Sequence, residues 1–235
     1  MSTVIPMKHE QLSRTEIGKR DKLRRIREAS RALFLSRGYE EATIREIARL
    51  AEVAQGTLFL YAASKRDLLF MLYNDIIEAA AAESLAVPHA ELSLAEALMH
   101  IALANVQAYT ADIAIARLGL VNLNLYDDSD QASRFVALHG TVTDLVARLL
   151  REGRDDGRLS ADFDVGLIAG MVISVMVEGL KTYLRADLPD IARMMRDTHG
   201  QIAVILRGLG AGPETLVIRD QRIAGWLASP RPGGA

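Results

Sequence analysis

Gln55, Thr57 and Leu60 stand close together near the middle of the stretch 43–65, TIREIARLAEVAQGTLFLYAASK. A glutamine amide can pair with the donor and acceptor edge of adenine. A threonine hydroxyl can meet a base or a phosphate, and a leucine can touch a thymine methyl. Gly56, between the first two, lets a backbone approach a groove closely. These residue types suit reading the edge of a duplex.

Such side chains work only if a short helix is held outward by its neighbours. Ile44, Ile47, Ala48 and Ala51 recur at i, i+3, i+4 and i+7, one apolar stripe of a helix. The pattern breaks at Glu52-Val53 and restarts with Leu58 and Tyr61 on a second helix. Ala48 is small enough for the two to touch, and Val53 plugs the corner. The expectation is a helix-turn-helix whose second helix, about residues 54–60, can enter a major groove. Thr43 with Glu46 three residues on makes a capping box at the start of the first of these helices.

The surroundings are more specific than the stripe. Gly38-Tyr39, Thr43, Ile47-Ala48, Ala51, Gly56-Thr57-Leu58-Phe59, Tyr61 and Ser64-Lys65 match, over about residues 24–69, the pattern of the tetracycline-repressor (TetR) family of bacterial transcription regulators. The chain resembles that family. Four positions depart from it: Glu52 for a turn Gly, Ala54 for a capping Ser or Thr, Phe59 for a common Tyr, and Ala62 for a common Phe. The resemblance implies that Thr43, Tyr61 and Lys65 hold the phosphate backbone, with Arg45 among the DNA-contacting residues. Phe59, lacking the hydroxyl, gives only apolar contact. If Glu52 takes a positive φ, it adds strain at the turn.

Composition and charge agree with an all-α protein. Half of the 235 residues are apolar, only 5% are aromatic, and there are six prolines. Residues 1–66 hold 14 Lys and Arg against 8 Asp and Glu, a balance of +6. Residues 67–235 hold 14 against 22, a balance of −8, and the two give the net −2. A basic end on an acidic body suits a protein that lays one end on a polyanion. With no cysteine there is no disulfide framework, thiolate metal site or Cys nucleophile. The five histidines (9, 89, 100, 139, 199) show no paired metal spacing. No Gly-rich phosphate loop or GxSxG motif appears, and the acid pairs Asp155-Asp156 and Asp162/Asp164 fall in an expected loop. The expectation is no enzyme, no cofactor and no metal. The start of the chain does not read as a signal peptide, and the uncharged run 165–177 is too short to span a bilayer, so a cytoplasmic protein without a membrane is expected.

The expected organisation is a flexible basic arm (1–20), a helix-turn-helix domain (21–66), a helical ligand-binding and dimerisation domain (67–210) and a C-terminal extension (211–235). Helices are expected at about 21–37, from Ser64 onward, and at about 94–109, 112–126, 130–153, 163–186 and 188–208. The resemblance implies that segments 163–186 and 188–208 pair with their copies in a homodimer. Ala169, Gly170 and Ser174 would allow close approach, while Leu167, Met171, Met176, Ile202, Ile205 and Leu206 supply apolar area. It also implies a small effector among the middle helices. Polar residues isolated in apolar helices are candidates to line its site: His100, Asn105, Tyr109, Asn122, Asn124, Tyr126, His139, Thr143, Ser174 and Glu178, with Met171. Each has an ordinary structural alternative. The chain thus reads as a ligand-responsive, sequence-specific DNA-binding regulator, a repressor by resemblance, acting as a homodimer on a palindrome. A helical scaffold, or an architectural DNA-binding protein without effector control, is the alternative.

Overall fold

The computed structural model describes residues 13–123 and 129–229, and among these all regular structure is helical. The chain divides into two compact units that meet between Leu68 and Leu69.

The first unit begins with α1, Arg14–Arg37. It starts a full two turns before the expected position, so residues 14–20 are helical and not arm. The reason is local: Ser13 and Glu16 form a capping box, each side chain bonded to the other's backbone N–H. Ile26, Ala29, Ser30 and Phe34 form its buried face. Ser30 sits among apolar groups by donating its hydroxyl to the Ile26 carbonyl at 2.7 Å. Gly38 ends the helix at φ +87 and ψ 157, backbone open essentially to glycine alone. The helix α2, Ile44–Leu50, carries the expected Thr43–Glu46 capping box, and α3 is Gln55–Leu58.

Both units draw on α4, Lys65–Ala86: its first four residues fall in the first and the remainder in the second. The second unit continues with α5 (Leu94–Ala111), α6 (Ile113–Asn122), α7 (Asp130–Asp155), α8 (Val165–Arg185), α9 (Ile191–Gly208) and α10 (Gln221–Ala228). Short 3-10 turns lie at His89–Glu91 and Pro213–Leu216. Here α5 is central: Leu94, Leu98, Met99, Ile101 and Val106 are all buried, and the helix meets α6, α7, α8 and α9. The helix α8 is long and apolar enough, by length and composition, to cross a membrane, which the 13-residue uncharged run did not suggest. It packs on α5, α6, α7 and α9. Gly179 lets α9 come close, since a Cβ there would lie 2.7 Å from the Thr198 hydroxyl oxygen. Met176, Ile202 and Leu206 are buried within the chain itself. Leu167 and Met171 on α8, with Val204 on α9, remain uncovered.

The C-terminal segment is latched by the first turn of α5. Ser93 accepts the Glu96 N–H, as a cap should, and donates its hydroxyl to the Val217 carbonyl. The Glu96 carboxylate turns elsewhere. Only 1% exposed, it accepts the backbone N–H groups of Arg219 and Asp220 at 2.6 Å each. Asp220 then caps α10, which packs on α9, where Arg196 donates to the Trp226 carbonyl. Glu96→Ala leaves two amides without their acceptor, so unfolding free energy should fall by about 1–3 kcal/mol. Thermal melts, read alongside a red shift of Trp226 emission, check this.

Candidate nucleic-acid interface and effector cavity

Recognition residues are set by one buried anchor. Leu58 has no exposed surface and Ile47 has none, with Ala48 and Ala51 nearly as covered. The N–H of Val53 bonds the Ala48 carbonyl at 3.0 Å, which fixes the corner. Glu52 does adopt positive φ, at +53. Arg25 of α1 reaches it, 3.3 Å from its carboxylate, so the departure from glycine is held by an ion pair. Ala54 stands at the start of α3 with no side-chain cap.

With Leu58 inward, the rest of α3 and its sequel faces out. Gln55 and Gly56 are exposed and Thr57 is half-buried. Leu60 is 83% exposed and Phe59 43%. Thr43 and Arg45 are exposed at the start of α2. The Thr43 hydroxyl donates to Glu46 at 2.8 Å and Glu46 also pairs with Arg37, so a carboxylate already occupies the cap of α2. Tyr61 is half-buried, with its hydroxyl 3.5 Å from the Lys19 carbonyl.

Lys65 differs most from the sequence expectation. Its ammonium donates to the carbonyls of Tyr39 and Glu40, at 2.7 and 2.9 Å, and lies over the Tyr39 ring at 4.6 Å from the centroid. Two of its three donors are therefore committed to the α1–α2 loop, a role that spacing alone did not reveal. Lys65→Ala is expected to cost the fold about 1–3 kcal/mol by stranding those carbonyls. Chemical denaturation checks the stability. A salt titration of DNA binding checks whether a phosphate contact is also lost, which would lower the slope by about one unit.

The second unit encloses a cavity of about 530 Å³, within the size range that holds a small ligand. Of the expected lining residues, Asn105, Tyr109 and His139 border it. His100 does not; it lies 3.6 Å from the Asp220 carboxylate at the C-terminal latch. Asn122 and Thr143 are also absent from the lining, and each bonds the carbonyl four residues back in its own helix. Ser174 and Glu178 border a different concavity between α8 and α9, and Met171 lies on the uncovered face of α8. Asn124 and Tyr126 lie outside the described residues. Helical period tells which residues share a face but not which face meets the void.

The tertiary structure adds Tyr73, Gly119, Phe135, Lys181, Arg185 and Met194 to the walls. The rings of Tyr73 and Tyr109 meet edge to face at 5.5 Å, and Tyr73 also neighbours Phe135. Burial raises the Tyr109 phenol well above its ordinary value, with Tyr73 adding to the effect, and burial raises Tyr73 as well. Both stay protonated. Burial likewise lowers His139, which enters the cavity as a neutral imidazole. Gly119 on α6 exists for Tyr73: a Cβ there would sit 2.2 Å from the ring. Gly119→Ala must displace that ring, so a loss of about 1–3 kcal/mol in unfolding free energy is expected, measured by denaturant titration.

The first unit thus presents a solvent-facing helix-turn-helix, and the second is a helical unit that holds a cavity. Residues 26–72 match the family model of bacterial regulatory proteins, tetR family. A fatty acid metabolism regulator protein of Bacillus subtilis (strain 168) is 26% identical over 174 residues, covering 72% of this chain and 87% of that protein. Among solved structures, Thermus thermophilus FadR, a transcriptional repressor in complex with lauroyl-CoA, superposes with a TM-score of 0.56. It is 22% identical and covers 90% of this chain and 99% of its own. RolR in complex with resorcinol gives 0.58 at 18% identity, covering 93% and 98%. These structures share the fold. Their two ligands are chemically unlike, so the fold does not dictate the effector.

Proposed function

We propose that this chain is a repressor that binds a palindromic operator as a homodimer and leaves it when a small molecule fills the cavity of the second unit. The observation that carries the reading is Leu60, 83% exposed beside the open α3. A leucine there, with Gln55, Gly56 and Thr57 also facing solvent, supports base reading dominated by thymine methyl and adenine contacts. Phosphate contacts would fall to Thr43, Arg45 and Tyr61, with Lys65 contributing through its remaining donor; Phe59 adds apolar contact. A regulator of this kind works in the cytoplasm.

One four-residue helix covers too few base pairs to find a single site among many. Two copies on a twofold axis solve that. The uncovered Leu167 and Met171 of α8 and Val204 of α9 support pairing through those helices. Gly170 supports it further, because a Cβ there would meet nothing within its own chain. Ligand control has a route along one helix, since α4 supplies Lys65 to the first unit and Tyr73 to the cavity wall.

Selection of bound fragments from random DNA by the purified chain tests the reading. A palindrome should emerge. Leu60→Ala should then lower preference for sites bearing thymine at the contacted position by about 1 kcal/mol or more, with little change on other sites. Recovery of unrelated fragments without symmetry would favour the architectural alternative.

A further inference from the structure

We infer that the cavity takes a linear amphipathic anion: an extended apolar chain with a negatively charged head held by Lys181 and Arg185. This deepens the effector reading above and rests on it. The apolar part of the claim comes from α8. Ile173, Met176, Val177, Leu180 and Leu184 all line the cavity, and their spacing puts them on one stripe of the helix. Eleven residues separate its ends, so the stripe is about 16 Å long. A zigzag of carbons with ~1.5 Å bonds covers that length in about a dozen atoms.

The head position comes from where the charges lie. Lys181 and Arg185, one turn apart, line the same cavity at the C-terminal end of the stripe. Lys181 is half-buried and Arg185 is exposed, which marks that end as the side open to water. Lys181 has only a long contact of 3.9 Å with the exposed Glu178, a pair that counts for little in solvent. Arg185 has no ion-pair partner among the described residues. Two cations beside an apolar slot leave the head group unmatched unless the ligand is an anion. Among the described residues no carboxylate lines the cavity to oppose one. The far end is apolar: α7 and α8 are consecutive, contacting helices joined by a short connection, which places Val142 toward Ile173 and Phe135 toward Arg185.

The same head chemistry is found in a free long-chain carboxylate and in the phosphates of a thioester carrier. Calorimetric titration of the full chain, without DNA, should therefore use three series of eight to sixteen carbons: saturated fatty acids, their coenzyme A thioesters, and the neutral primary alcohols. In at least one anionic series, affinity should rise about fourfold per methylene and level off near twelve carbons. The matched alcohols should bind about tenfold more weakly. Paired substitution Lys181→Gln and Arg185→Gln should erase that tenfold preference. Ile173→Phe should shift the plateau to shorter chains. The series that shows the slope identifies the source of the head. Equal binding of alcohols and anions, no dependence on chain length, or no binding in any series would overturn the assignment. Because the titrations contain no DNA, such a failure is separate from a failure to select an operator.

Discussion

Everything the first unit does depends on the burial of Leu58. A helix of four residues has no stability of its own, since nucleation costs more than a single turn returns. It exists because Leu58, with no solvent exposure, is seated beside Ile47 and Ala48. Once that side chain points inward, helical geometry leaves Gln55, Gly56 and Leu60 no choice but to face out. The base-facing surface is thus the consequence of a core contact.

The turn before it shows how a departure from a family pattern is accommodated. Glu52 holds the positive φ that glycine would take without penalty. Its carboxylate meets Arg25 of α1, so the strained residue is also a tether between helices. Lys65 performs a related service on the other side, binding the Tyr39 and Glu40 carbonyls of the loop that leads into α2. Basic residues in a DNA-binding unit therefore divide their charge between holding the fold and facing a polyanion.

In the second unit the governing feature is a void kept open by large rings. Tyr73 stands against Gly119, Tyr109 and Phe135, and a side chain at position 119 would collide with it. Polar atoms on the walls are few and, where buried, electrically neutral: burial keeps the phenols protonated and His139 uncharged. Among the described lining residues, positive charge is confined to Lys181 and Arg185. A cavity so arranged selects by shape along its length and by charge at one end. The C-terminal segment is organised by a different group, the Glu96 carboxylate that gathers the backbone of residues 219 and 220.

The sequence by itself determined the elements whose signals are local. Periodicity located α2, α7 and α8, the Thr43–Glu46 box started α2, and Gly38 ended α1, because each depends on residues within a turn or two. The Ser13–Glu16 box that starts α1 is equally local. The helix-turn-helix was legible for the same reason, as was the outward direction of Leu60 once Leu58 was assigned to the core. The tertiary structure alone decided the partners of residues far apart in the chain. It gave Lys65 to Tyr39, Glu96 to the C-terminal segment, His100 to Asp220, and the cavity to Tyr73, Gly119 and Arg185. A helix face carries no record of whether it meets another helix, a void or water. That depends on where the other helices pack, and so, of the expected ligand residues that the structure describes, only Asn105, Tyr109 and His139 border the cavity.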